Sequence, residues 1–65
     1  ENPGYIFEFK VAGSEEELES YAEEGFEQIK EKKYDTELIN HGVTEITYIG
    51  LAFYKKKLKM KYEKI

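Results

Sequence analysis

An apolar strand with two charges on one side begins the chain. Between residues 5 and 11 the side chains alternate in character, and successive side chains of a strand point to opposite faces. One face would carry Tyr5, Phe7, Phe9 and Val11. The other would carry Glu8 and Lys10 together. Two interpretations are open: the solvated face of an ordinary antiparallel strand, or a carboxylate and an ammonium that hold a metal ion and polarise a water molecule.

The next segment has the periodicity of an amphipathic helix. Apolar or small residues recur three or four positions apart at Leu18, Tyr21, Ala22, Gly25, Phe26 and Ile29. This spacing predicts a helix that ends near Lys33. Ser14 and Glu17 have the spacing of a capping box at its start. Glutamates fill the first turns and lysines the last, which matches the helix dipole.

The second half of the chain predicts a short helix and a hairpin. Residues 36–41 form the short helix, which Gly42 ends. Residues 45–53 are rich in β-branched and aromatic side chains on both faces, which is typical of a strand covered on two sides. Three lysines at 55–57 make a turn, and residues 58–62 alternate as an edge strand with lysines on one face.

This order of elements predicts an α/β fold. A strand, a helix and a strand are joined by a right-handed crossover between parallel strands, and the last two strands form an antiparallel hairpin. We therefore expect a three-stranded mixed sheet with one main helix. The helix packs either on the face of Phe7 and Phe9 or on the face of Glu8 and Lys10. The aromatic face is preferred, because it leaves the charged pair free of the cost of burial.

Composition limits the function classes. With 65 residues there is room for one domain or part of one. Cysteine is absent, so no disulfide or thiolate metal site forms. Arginine is also absent, which disfavours specific reading of bases, although the lysine-rich end can attract phosphate. The net charge is −4, and no apolar run approaches the ~20 residues of a membrane span. A cytoplasmic setting without a membrane is expected.

Three segments together resemble a known family. They are Tyr5–Lys10 with its Glu-x-Lys, Phe26–Tyr34 with Gln28, and Tyr48–Phe53 with its Tyr-Ile-Gly. In this order they resemble the PD-(D/E)XK nuclease superfamily, and more narrowly the branch found behind AAA-ATPase-like domains in bacterial proteins. The likeness covers nearly the whole chain, but it corresponds to the second half of such a domain. Residues 1–65 are therefore expected to be a single partial domain with a partial restriction-endonuclease-like fold.

The resemblance implies a role for each residue of a metal-dependent nuclease site. Glu8 would bind a divalent ion, namely magnesium, and Phe9 would offer its backbone carbonyl to the same ion. Lys10 would orient or deprotonate the attacking water and offset the charge that develops on the phosphate. Gln28 would reach toward the site or the nucleic-acid backbone. This interpretation requires Glu8 and Lys10 to share an accessible side of the sheet.

The resemblance also implies an aspartate on the strand that precedes residues 5–11, and that strand is not among these 65 residues. Magnesium held by one carboxylate and one carbonyl is bound mainly by water, and therefore weakly. We therefore expect the isolated chain to be inactive. The alternative function is a small interaction or assembly module without catalysis. In that case residues 5–11 form an exposed apolar edge strand through which the chain associates with itself.

Overall fold

The computed structural model describes residues 2–32 and 35–64. A 3₁₀ turn at Glu15–Glu17 precedes the main helix. The strands and helices are, in chain order, β1 (Pro3–Val11), α1 (Leu18–Lys32), α2 (Asp35–Asn40), β2 (Glu45–Tyr54) and β3 (Lys57–Lys64). Each predicted element is present, with ends that differ by a few residues from the prediction. Tyr34 and the predicted last helical residue, Lys33, lie outside the described residues.

The three strands form one mixed sheet in the order β1-β2-β3. β1 runs parallel to β2, in a register that pairs Glu8 with Gly50 and Lys10 with Ala52. β2 and β3 form an antiparallel hairpin, closed by a two-residue turn in which Lys55 adopts a φ of 55°. At the other end of the hairpin, the ammonium of Lys64 donates a hydrogen bond to the carboxylate of Glu45, which raises the pKa of Lys64. The predicted α/β fold with one main helix is confirmed.

The helix lies on the opposite face of the sheet from the one preferred from sequence. α1 packs on the side of Glu8 and Lys10, whereas Tyr5 is 59% exposed and Phe9 61% exposed. The larger core cluster contains Ile6, Phe26, Ile29, Ile46 and Tyr48. The smaller contains Ala12, Leu18, Ala22 and Ala52. The preference for the aromatic face was wrong, because the small residues that admit a helix lie on the other face.

Gly50 is the point of closest approach between helix and sheet. A Cβ atom built on Gly50 would lie 2.3 Å from the carbonyl oxygen of Ala22 and 2.4 Å from the amide nitrogen of Phe26. These are backbone atoms of α1, which cannot move aside as a side chain can. The absence of a side chain at position 50 therefore sets how closely α1 packs on β2.

The start of α1 differs from a capping box. Ser14 precedes the 3₁₀ turn, and its side chain makes no capping hydrogen bond. The Glu17 carboxylate accepts a hydrogen bond from the amide of Gly13 at 3.0 Å, and not from the amide of Ser14. The predicted boundary is correct to within a few residues, but the predicted reciprocal bonds are not formed.

We expect Gly50→Ala to destabilise the fold severely. The new methyl group must displace the backbone of α1, and overpacking of this kind costs at least about 2 kcal/mol of unfolding free energy. Urea unfolding followed by circular dichroism measures the loss. Gly13→Ala is the matched control, because its Cβ would meet only the flexible carboxylate end of Glu17, at 3.0 Å. Equal stability of the two variants would contradict this account of the packing.

Candidate functional site

Glu8 and Lys10 lie side by side on the helix-facing side of β1. Their strand neighbours on β2 are the small residues Gly50 and Ala52, and the backbone of α1 packs closely over Gly50. The Glu8 side chain is 24% exposed and that of Lys10 is 22% exposed. The two predicted site residues therefore share one face and remain partly accessible, although α1 runs beside them.

Each of the two charges is paired with an opposite charge on α1. The Lys10 ammonium lies 3.3 Å from a carboxylate oxygen of Glu24. The Lys32 ammonium lies 3.8 Å from a carboxylate oxygen of Glu8. A half-buried charge loses part of its hydration, and an opposite charge at such a distance offsets that loss. The pairs explain how two charged side chains tolerate a position beside the helix.

Gln28 lies on the same flank of α1 as these two partners. Positions 24, 28 and 32 are each four residues apart, and residues at that spacing follow one another along a single helix face. Gln28 therefore lies between Glu24 and Lys32, on the flank that reaches over β1. The structure places all three predicted site residues in one region of the molecule. Sequence reasoning missed Glu24 and Lys32, although their opposite charges at four-residue spacing from Gln28 were a usable signal.

Gly25 allows α1 to pass close to Glu8. A Cβ atom at position 25 would lie 3.4 Å from the Glu8 carbonyl oxygen and 3.5 Å from its Cγ atom. These are ordinary van der Waals distances, so a methyl group would fit at position 25, and only a side chain larger than that of alanine would push the helix away from this part of β1. A small residue at position 25 therefore keeps the flank that carries Glu24 within ion-pairing distance of the strand.

The backbone carbonyl of Phe9 points to the open side of β1. In a strand, the N–H and C=O groups of one residue point the same way, and those of the next residue point the opposite way. The carbonyl of Asn2 accepts from the amide of Thr44 at 2.9 Å, and the amide of Ala12 donates to Phe53 at 2.8 Å. The backbone N–H and C=O groups of the even-numbered residues of β1 therefore form hydrogen bonds with β2. The Phe9 carbonyl, at an odd position, faces the edge that no described strand occupies.

The described residues do not form a complete divalent-metal site. Hard cations such as magnesium need several oxygen ligands in a compact arrangement. Within residues 2–32 and 35–64 there is no group of three or more acidic, histidine or cysteine side chains suited to a metal ion. Glu8 supplies one carboxylate, and Lys32 already balances its charge. A complete site requires at least one further oxygen ligand beside Glu8.

The lysines of β3 face glutamates of the 3₁₀ turn and of α1. Lys57 donates a hydrogen bond to the carboxylate of Glu15 at 2.6 Å. Farther along, a cavity of about 180 Å³ is lined by Glu19, Ala22, Glu23, Lys59, Met60 and Lys61. The positive charge of this strand is thus partly balanced within the chain. At the turn, an open hollow of about 480 Å³ is lined by Lys55, Lys56 and Tyr54 together with Glu15 and Lys57.

Comparison with known proteins identifies the family. A family model described as the PD-(D/E)XK nuclease superfamily matches residues 1–63. Neither the search of curated proteins nor that of solved structures found a match. In the described part of the chain, no helix is long and apolar enough to cross a membrane. The family match spans nearly the whole sequence, and it confirms the resemblance seen in the three segments: the chain belongs to the PD-(D/E)XK nuclease superfamily.

Proposed function

We propose that this chain is part of a nuclease-like domain that hydrolyses phosphodiester bonds of nucleic acid, with Glu8, Lys10 and Gln28 as site residues. The observation that carries the proposal is the position of Glu8 and Lys10. They are neighbours on one face of a strand, each about one-quarter exposed and each held by an opposite charge. In this proposal the chain forms the second half of the domain, in the branch found behind AAA-ATPase-like domains.

Lys10 has the chemistry to act on a phosphodiester. Its ammonium can orient an attacking water and offset the negative charge that develops on the phosphate. The carboxylate of Glu24 limits the positions that this ammonium samples, so Glu24 acts as a positioning residue. Gln28 adds an amide that can donate to the water or to a phosphate oxygen.

Glu8 and the carbonyl of Phe9 are the proposed ligands of a divalent ion, namely magnesium. When bound, such an ion supplies Lewis-acid activation of the water and the phosphate. The open orientation of the Phe9 carbonyl supports this assignment, since no described strand occupies that edge. Two protein oxygens bind magnesium weakly. We therefore expect the isolated chain to lack measurable nuclease activity.

Manganese provides a test that does not depend on activity. We expect trace Mn²⁺ to broaden the amide NMR signals around Glu8 and Phe9 most strongly, and excess Mg²⁺ to reverse the broadening. Glu8→Gln removes the carboxylate charge and should abolish the effect. Glu31→Gln, an exposed change on α1, is the matched control and should leave it intact. Broadening centred on the glutamates of residues 15–27, and unchanged by Glu8→Gln, would refute the assignment.

Lys32 should compete with the metal ion for Glu8. Removing a positive charge near 4 Å from the carboxylate changes the interaction by about 1 kcal/mol in a water-like environment, or roughly fivefold in affinity. Lys32→Met is therefore expected to tighten Mn²⁺ binding about fivefold in the same titration. Lys30→Met, which removes the same charge from a lysine beside Glu27, is the control. An equal gain in both variants would mean that only net charge matters.

The free edge of β1 favours a second candidate function, a module for assembly. β1 is a terminal strand in the described sheet, and its odd-numbered residues direct their backbone groups outward. An edge of this kind can pair with a strand of another chain. In this alternative, residues 5–11 pair with the same residues of a second copy, and the chain has no catalytic role.

Hydrogen exchange separates edge pairing from the unpaired state. The amides of Ile6 and Glu8 bond to β2 and should be protected at every protein concentration. If edges pair, the amides of Phe7 and Phe9 should become protected as the concentration rises. If the amides of Phe7 and Phe9 exchange at the same rate at micromolar and at millimolar protein concentration, edge pairing is excluded.

A further inference from the structure

Three consecutive lysines lie at the turn between β2 and β3. Lys55 and Lys56 form the turn and Lys57 begins β3, and all three side chains are exposed. Together with Tyr54 and Glu15 they line the open hollow of about 480 Å³. The chain as a whole has a net charge of −4, so this hollow, with three lysines and one glutamate, is a local positive patch. We call residues 54–57 the lysine turn.

Two of the three ammonium groups have no carboxylate partner in the described part of the chain. Lys57 is paired with Glu15 at 2.6 Å. The ammonium of Lys55 lies over the ring of Tyr54, 5.3 Å from its centroid, and no ion pair among the described residues includes Lys55 or Lys56. A protein surface packed over the turn would have to bring a carboxylate for each, because an unpaired buried charge is costly. The turn is therefore better suited to a solvated polyanion than to a neutral protein surface.

Lys55 occupies a backbone conformation that glycine and asparagine adopt more readily. Its φ is 55°, in the left-handed region that disfavours most side chains. Hairpin turns commonly place glycine or asparagine at such a position for that reason. A lysine there makes the turn less stable and adds a charge at its tip. Strained positions of this kind are concentrated at functional sites.

The lysine turn lies at the same end of the sheet as Lys10. β1 and β2 run parallel with Lys10 beside Ala52, and Tyr54 follows two residues later. The spacing of strands and the rise along them place the backbones of Lys10 and Tyr54 about 8 Å apart. Tyr54 packs with Ala52 on the helix-facing side of the sheet, which is also the side of Lys10. A nucleic-acid strand carries one charge for every ~3.4 Å of helix axis, so a strand that reaches Lys10 passes the turn within a few nucleotides.

We propose that the lysine turn binds the phosphate backbone of the nucleic-acid strand on which the site of Glu8 and Lys10 acts. This inference rests on the proposed function and assigns a second contact to the same substrate. Lys55 and Lys56 each contact a phosphate, and Lys57 stays paired with Glu15. Phosphate contacts hold a strand in place without reading its sequence, and the chain has no arginine to read bases. Binding at the turn is therefore independent of sequence.

Fluorescence anisotropy of a labelled oligothymidylate, titrated with the 65-residue chain, tests the proposal. Lys55→Asn combined with Lys56→Gln removes both contacts, and asparagine suits the left-handed position, so the turn is kept. Each lost contact to a single strand lowers the slope of log affinity against log salt by about 0.7, so we expect a decrease of about 1.4 between ~50 and 200 mM salt. The affinity at the lower salt concentration should fall at least about tenfold. The matched control is Lys30→Gln combined with Lys64→Gln, which removes the same charge away from the turn and should leave the slope unchanged.

The outcomes separate this inference from the proposed function. Equal losses in the turn variant and its control would mean that binding follows net charge alone, and they would overturn the inference. Absence of binding at the lower salt concentration would also overturn it, as would amide NMR shifts on addition of oligothymidylate that avoid residues 54–57. None of these results alters the Mn²⁺ titration at Glu8, which tests the site itself. The same amide spectra establish that each variant is folded.

Discussion

The contact of α1 with Gly50 is the constraint on which the rest of the structure depends. At this position the helix backbone lies within 2.4 Å of where a Cβ atom would be, so the helix can settle only over a glycine. Once α1 is fixed there, Gly25 lies beside Glu8, and one flank of the helix extends over β1. The arrangement of Glu24, Gln28 and Lys32 around the strand is therefore a consequence of backbone packing.

This packing accounts for the charged pair beside the helix. Full burial of Glu8 or Lys10 would cost several kcal/mol unless it were offset. The two side chains instead lie at the border of the helix contact, about one-quarter exposed, and each meets one opposite charge. Surface pairs of this kind add little to stability. Their main effect is to restrict the positions of the two side chains, which is what a reactive site requires.

Much of the fold could be predicted from the sequence, because its signals are local. The spacing of apolar residues defined α1, and alternation placed Glu8 and Lys10 on a common face. Local patterns did not determine on which face of the sheet α1 packs, because β1 and β2 carry apolar side chains on both faces. The deciding signal was the run of small residues at Gly50 and Ala52, on the same side as Ile46 and Tyr48. The ion-pair partners Glu24 and Lys32 became visible only once that face was known.

A strand paired with the free edge of β1 would also lie next to the proposed site. Strands of a sheet lie about 4.8 Å apart, so a strand paired with this edge would place alternate side chains beside Glu8 and Lys10. Such a strand could bring the further carboxylate that the described residues lack. The chemistry of the proposed site therefore depends on which strand occupies the edge.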